Sequence, residues 1–233
     1  MYFAYDNIDR TKFFAVKTID RKRIDNDQTA ITNMMREIGL MGEIHSPHVV
    51  SLMTSTKTVN SYYLVMELLN GGDLSNYVKE RGGYLKEQEA RLIIKQVVEG
   101  LTAIKKSNVM HRDLKLPNIM VNFSEVPQDV CNNKTFDLKK YIREFDFETK
   151  HKTIQLKIAD LGFARRLQES ELAETNCGTP LLMAPEILEG ELYGHKADVW
   201  SLGCLFYEML TGFPPFTGYD IKSLRANIRQ GDY

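Results

Sequence analysis

The segment from His111 to Asn118 contains three side chains whose types and spacing could do chemistry together. It places a carboxylate at Asp113, an ammonium group at Lys115 and a carboxamide at Asn118. An attacking hydroxyl needs a group that accepts its proton and fixes its approach, which Asp113 can supply. Lys115 can neutralise charge on a transferring phosphoryl group, and Asn118 offers a neutral oxygen ligand to Mg²⁺. The segment predicts phosphoryl transfer. The alternative is a polar surface loop, because His-Arg-Asp alone also occurs by chance.

A second cation and a second acid stand upstream, on two different predicted elements. The aromatic and β-branched residues 13–19 predict a strand that contains Lys17. Residues 29–43 predict a helix with Glu37 on its apolar face. The apolar residues of that face are Ile31, Met34, Met35, Ile38 and Met41. A lone acid there would be costly to bury, so Lys17 is its candidate partner. The alternatives are an exposed strand lysine and a helix-edge glutamate that reaches water.

The composition indicates an ordinary globular protein. Of 233 residues, 43% are hydrophobic and 26% are charged. The chain has 30 Lys and Arg residues and 31 Asp and Glu residues, so its positive and negative charges nearly balance. This balance does not favour nucleic acid as a partner. Three cysteines form no disulfide framework, so we expect reduced thiols in a cytosolic or nuclear compartment, and of these two we predict a cytoplasmic location. No apolar run reaches the roughly 18 residues that a membrane span needs, and the N-terminus is unlike a secretory signal.

Further elements follow from the hydrophobic patterns and the turn residues. We predict strands at 49–52, 61–66, 119–121 and 156–159, a glycine-containing linker at 67–73, and helices at 87–104 and 197–211. The last helix is apolar on nearly all faces, which is typical of a buried helix.

Four motifs in order along the chain carry a family resemblance. Lys17 lies in a strand similar to V-A-I-K, and residues 111–118 match the H-R-D-x-x-x-x-N loop. Residues 160–162 resemble D-F-G, with Leu161 in the place of Phe, and residues 184–186 read A-P-E. The chain thus resembles the eukaryotic-type protein kinases. A lysine two residues after the catalytic Asp, here Lys115, resembles the pattern of the serine/threonine branch. The segment Cys177-Gly178-Thr179-Pro180 is among those most similar to the autophagy-initiating ULK-type kinases.

The resemblance implies an ATP site, a Mg²⁺ site and a catalytic group. Asp113, Lys115, Asn118, Lys17 and Glu37 would be catalytic, with the Lys17–Glu37 ion pair orienting the ATP phosphates. Asn118 and Asp160 would bind Mg²⁺. Cofactor binding would fall to Ala15, Lys17, Met66 as gatekeeper, Glu67, Leu69, Asp73, Met120 and Asp160. The main-chain groups of Glu67 and Leu69 would bond the edge of adenine, and Met120 would form the floor of its pocket.

Three further positions would be regulatory by the same resemblance. Thr175 matches the activating phosphosite of the family, and Arg112 supplies a cation that a phosphate there could pair with. Thr179 would bridge the catalytic Asp and Lys. An unmodified, solvent-exposed threonine is the alternative for Thr175.

The resemblance implies an α+β, bilobal kinase fold over residues 1–233. The β-rich N-lobe would span 1–66, the hinge 67–73 and the mainly helical C-lobe 74–233, with an insertion at about 123–153. We expect that insertion to be a mixed charged and aromatic surface hairpin or helix, with a docking site as the alternative. The first strand with its Gly-rich loop, and the last C-lobe helices, would lie outside the chain.

Two functional hypotheses remain open at this point. The first is a serine/threonine kinase that acts on protein substrates, with regulatory subunits as further partners. The second is a non-catalytic kinase-fold module that binds ATP or serves as a scaffold. A scaffold has no physical need for Lys17, Glu37, Asp113, Asn118 and Asp160 together, whereas the expected truncations favour it.

Overall fold

The structure is a computed structural model that describes residues 1–25, 27–128, 136–162, 164–166, 180–231 and 233. It is an α+β fold, as predicted, with an antiparallel sheet in the first third of the chain and mainly helices thereafter. Among the described residues, no helix is both long enough and apolar enough to cross a membrane.

The N-terminal sheet positions Lys17. Its four strands are β1 (Tyr2–Tyr5), β2 (Phe13–Asp20), β3 (Leu52–Lys57) and β4 (Ser61–Glu67), in the order β1-β2-β4-β3. All neighbouring strands are antiparallel, and Lys17 lies opposite Leu64. A short helix α1 (Arg21–Ile24) and the long helix α2 (Gln28–Glu43) follow β2. The carboxylate of Asp27 caps α2 by accepting from the amides of Thr29 and Ala30.

The predicted strand at 49–52 is wrong, because the strand in that region is β3, at Leu52–Lys57. Val49 and Val50 are buried, and the amide of Val50 donates to the carbonyl of Ile158 at 2.9 Å. These apolar residues therefore belong to a connection that packs on the core. The observed strand is a polar, largely exposed edge of the sheet and has no apolar run that would reveal it.

The larger part of the chain is built around α4 (Glu87–Lys106). Ala90, Ile93, Val97 and Ile104 of this helix are in the core. Gly100 allows the helix to approach the connection after α2, since a Cβ there would lie 2.5 Å from the carbonyl oxygen of His48. The other helices of this part are α3 (Leu74–Glu80), α5 (Leu138–Glu144), α6 (Phe147–Lys150), α7 (Pro185–Glu189), α8 (Lys196–Thr211) and α9 (Ile221–Gln230).

Two small antiparallel pairs frame the catalytic loop. Strand β5 (Val109–Met110) precedes the loop and pairs with β8 (Arg165–Arg166). Strand β6 (Ile119–Phe123) follows the loop and pairs with β7 (Ile154–Ile158), which ends two residues before Asp160. The catalytic loop and Asp160 are therefore held on adjacent strands.

The described part of the insertion is mainly helical, which is one of the two forms expected. It also contributes buried side chains, so it is not only a surface element. Phe145 and Phe147 are buried, and the ring of Phe145 lies 5.0 Å from that of Phe123. Arg81 donates to the carbonyl oxygen of Phe145 at 2.9 Å and pairs with the buried Glu89 at 3.0 Å. The insertion therefore extends the core over α3, which its mixed composition does not indicate.

Two apolar side chains are more exposed than their patterns predict. Met35 is 56% exposed. The buried residues of α2 form a narrow stripe that includes Met34, and Met35 lies beside this stripe. Val199 is 62% exposed, so α8 has a solvent face as well as a buried one. Both helices are present close to their predicted bounds.

Candidate active site

The backbone of the catalytic loop is held by a buried carboxylate from α8. Asp198 accepts from the amides of His111 and Arg112, each at 2.9 Å. Arg112 has a φ of 67°, in the left-handed region, and these bonds hold it there. Asp198 is therefore a positioning residue for the loop.

His111 connects the loop to the segment that leads to Asp160. It is fully buried, its Nδ1 lies 3.3 Å from the amide of Asp113, and its Nε2 lies 3.1 Å from the carbonyl oxygen of Ala159. Since an amide only donates and a carbonyl only accepts, Nδ1 is the acceptor and Nε2 carries the proton. The ring is thus a neutral imidazole between the two segments. Sequence reasoning assigned His111 no such role, although its position in the motif was a signal.

Asp113, Lys115 and Asn118 meet, as their spacing predicts. Lys115 Nζ lies 2.8 Å from Asp113 Oδ2. Asn118 Nδ2 donates to the main-chain carbonyl of Asp113 at 2.8 Å and to its Oδ2 at 3.1 Å. Since Asp113 engages the amide nitrogen of Asn118, the amide oxygen is the atom left for a metal ion. The carboxylate of Asp113 is buried and held by two donors.

Lys17 and Glu37 form the predicted ion pair. Lys17 Nζ lies 2.7 Å from Glu37 Oε1 and 3.6 Å from Asp160 Oδ1, and Glu37 is buried. Burial opposes the charged form of Lys17, but the two carboxylates outweigh it and raise the pKa of Lys17 above its ordinary value. The exposed-lysine and solvent-reaching-glutamate alternatives are therefore wrong. Leu161 is buried, so Leu in the Phe place still packs in the interior.

A cavity of about 350 Å³ opens between the sheet and the helical part. Of the predicted cofactor-binding residues, it is lined by Ala15, Lys17, Met66, Glu67, Leu69, Met120 and Asp160. Val50 and Leu68 also line it, and sequence reasoning missed both. Asp73 is not among the lining residues. Its carboxylate caps α3 by accepting from the amide of Asn76 at 2.8 Å, so its proposed role in cofactor binding stays a prediction.

The residues of this cavity fit a nucleotide with a divalent metal ion. Most of the lining residues are apolar, and Lys17, Asn118 and Asp160 are among the polar ones, with Lys17 Nζ 3.6 Å from Asp160 Oδ1. Within the described ranges, no cluster of three or more His, Cys, Asp or Glu could hold a metal by itself. The oxygens of Asn118 and Asp160 would be ligands to Mg²⁺, which in proteins is usually bound by one or two side chains together with water molecules and substrate phosphates.

Two buried polar side chains beside the cavity were not identified from the sequence. Lys157 Nζ lies 2.8 Å from the carboxylate of Glu67. Asn70 donates to the carbonyls of Phe123 and Val126 and accepts from the amide of Phe123. A lysine inside the apolar strand β7 was the only local signal of this arrangement.

The regulatory predictions fall on differently placed residues. Arg112 lies in the catalytic loop, and its guanidinium donates to the hydroxyl of Tyr193 at 3.3 Å. Thr175 and Thr179 lie outside the described residues. Their roles therefore stay predictions.

Comparison with known proteins matches this architecture to one family. A family model described as the protein kinase domain matches residues 3–232. The chain is 35% identical over 228 residues to the serine/threonine-protein kinase ATG1c of Arabidopsis thaliana, covering 92% of this chain and 27% of the relative. It is 35% identical over 253 residues to ATG1 of Pichia angusta (99% and 30%) and 34% identical over 221 residues to unc-51 of Caenorhabditis elegans (94% and 23%), both named serine/threonine-protein kinases.

These relatives are much longer than the matched region, so the chain spans less than a third of the length of each. The match covers the sheet, the cavity and the catalytic loop, which are the parts that carry the site described above. The chain belongs to the protein kinase domain family.

Proposed function

We propose that this chain is the catalytic part of a serine/threonine kinase that transfers the γ-phosphoryl group of ATP to hydroxyl groups of protein substrates. The observation that carries the proposal is the buried Asp113, which Lys115 and Asn118 hold beside a cavity containing the Lys17–Glu37 pair. Membership of the protein kinase family supports ATP, a divalent metal and protein substrates in general terms.

In this proposal Asp113 accepts the proton of the attacking hydroxyl. Its Oδ2 is already oriented by two donors, so the carboxylate does not have to reorganise when the substrate arrives. Lys115 Nζ lies 2.8 Å from the same oxygen. Its positive charge offsets the negative charge on the phosphoryl group during transfer.

Lys17 holds the phosphates of ATP, and Glu37 and Asp160 orient its ammonium group. Asn118 and Asp160 are the residues that would hold Mg²⁺. When bound, Mg²⁺ neutralises charge on the phosphate oxygens. The apolar lining of the cavity, with Ala15 and Met120 among it, excludes water from the adenine.

The finer assignments are part of the same proposal. We divide the chain into an N-lobe at 1–66, a hinge at 67–73 and a C-lobe at 74–233, which is supported by the cavity between the sheet and the helices. Similarity to the ATG1 proteins and to unc-51, with the ULK-like motifs, supports a role in autophagy signalling. The proposal also includes regulatory subunits as partners and a cytoplasmic location. The free, buried thiol of Cys204 is consistent with that location.

A transfer assay tests the proposal against the non-catalytic alternative. The chain is incubated with Mg²⁺ and γ-labelled ATP on a serine- and threonine-containing peptide array, and its Tm is measured with and without Mg-ATP. Transfer to serine or threonine is expected. A rise in Tm with nucleotide but no transfer would instead identify a binding module.

Phosphorylation of Thr175 is expected to raise the transfer rate through Arg112. Charge-assisted bonds contribute roughly 1.5–3 kcal/mol, which corresponds to a rate or population change of about 10- to 100-fold. Thr175→Ala should therefore lower the rate, and Arg112→Ala should make the rate insensitive to phosphate on Thr175. Rates are compared with and without the phosphate in wild type and Arg112→Ala. An equal increase in both would show that the phosphate acts through another cation.

A further inference from the structure

The Glu67–Lys157 ion pair joins the last residue of β4 to the strand that leads to Asp160. Lys157 Nζ lies 2.8 Å from both carboxylate oxygens of Glu67, and the lysine side chain is only 9% exposed. Glu67 Oε1 also accepts from the amide of Ser51 at 2.7 Å, and the amide of Glu67 donates to the carbonyl of Ser51. The mechanism proposed above uses neither the side chain of Glu67 nor that of Lys157, so this ion pair has no role there.

The segment after Glu67 is held at its other end as well. Asn70 is 1% exposed, and its side chain makes three bonds to the main chain of Phe123 and Val126. The amide of Gly71 donates to the carbonyl of Val121 at 2.9 Å. Between these two anchored ends lie Leu68 and Leu69, which line the cavity. The backbone that faces the adenine is therefore a short bridge with both ends pinned.

Burying a lysine is unfavourable unless its charge is paired, and even a buried ion pair is often no more stable than apolar residues of similar volume. An apolar residue at position 157 would pack in β7 without any charge to compensate. A bidentate ion pair differs in being directional, because it fixes the carboxylate plane and with it the backbone of the residue that bears it. The position of Lys157, opposite Met120 in the β6–β7 register, places this restraint directly under the floor of the cavity.

We propose that Lys157 is a positioning residue for nucleotide recognition, which holds Glu67 so that its carbonyl oxygen meets the 6-amino group of adenine. This inference rests on the proposed function in taking the main chain of Glu67 as an adenine partner. Selectivity for an adenine base over a purine without the amino group then depends on a side chain that lies outside the cavity.

The test measures equilibrium binding, so it does not require phosphoryl transfer. Dissociation constants of ATP and of purine riboside triphosphate, which lacks the 6-amino group, are measured by displacement of a fluorescent nucleotide. One hydrogen bond corresponds to roughly a 3- to 10-fold preference for ATP in wild type. In Lys157→Met this preference is expected to fall close to 1, with weaker ATP binding and nearly unchanged binding of the analogue.

Three variants separate positioning from simple charge compensation. Glu67→Gln combined with Lys157→Met removes both charges, so it should restore Tm but not the preference for ATP. Lys157→Arg keeps the pair and should keep the preference. Lys150→Met breaks the pair with Glu125, which has a similar distance of 2.9 Å but is 43% exposed at both partners, and should change neither the preference nor the binding.

Each outcome decides the question. A wild-type preference in the double variant would overturn the proposal, because the pair would then serve stability alone. The same conclusion follows if both nucleotides weaken equally in Lys157→Met, or if wild type does not distinguish them. If Lys157→Met does not fold, the double variant and Lys157→Arg give the answer. Selective binding in a chain that transfers no phosphate would remove the proposed function and leave this inference standing.

Discussion

Asp113→Asn is expected to lower the rate of phosphoryl transfer by about 10²- to 10⁴-fold, the range associated with a general base. The carboxamide cannot accept the proton of the hydroxyl. The carboxamide can also place its NH₂ group at the position of Oδ2, where it would be opposed by the two donors Lys115 and Asn118. Nucleotide binding should stay close to wild type, because Asp113 is not among the residues that line the cavity.

Single-turnover rates and ATP dissociation constants measured on the same preparations check this prediction. Asp137→Asn, which alters an exposed helix cap in the insertion, is the matched control and should leave the rate unchanged. If Asp113→Asn weakens ATP binding as much as it slows transfer, the residue serves binding and is not the base.

Lys17→Met is expected to lower the transfer rate by two orders of magnitude or more, at about 1.4 kcal/mol of lost transition-state stabilisation for each order. The ATP phosphates lose their cation, and the buried Glu37 loses its partner. The loss of the partner should also destabilise the fold by about 1–3 kcal/mol. This is less than for a fully buried pair, because the side chain of Lys17 is 31% exposed.

A double variant separates the two effects of this substitution. Lys17→Met with Glu37→Gln removes the unpaired charge, so the free energy of unfolding should recover while transfer stays low. The charge of Lys17 should stabilise the fold in the neutral pH range, and this contribution should be lost as the pH rises above 10.5 and through the raised pKa of Lys17. Wild-type turnover in Lys17→Met would remove the residue from the mechanism.

The sequence by itself determined the local parts of this protein. Asp113, Lys115 and Asn118 lie within six residues, so their contacts follow from one short loop. The helices α2 and α4 repeat apolar residues over several turns, which makes their periodicity easy to recognise, and α8 is a long, mainly apolar segment. The burial cost of a lone acid made Lys17 the candidate partner of Glu37, and the resemblance of its strand to V-A-I-K supported the pairing.

Only the tertiary structure decided which distant residues support the site. Lys157 is 90 residues from Glu67, and Asn70 is 53 residues from Phe123, to whose carbonyl it donates. Such contacts leave no local pattern, because they depend on how whole elements pack and not on the spacing within one of them. The edge strand β3 was missed for a related reason. It is defined by hydrogen bonds to β4 and not by an apolar face of its own, so its identity is a property of the sheet.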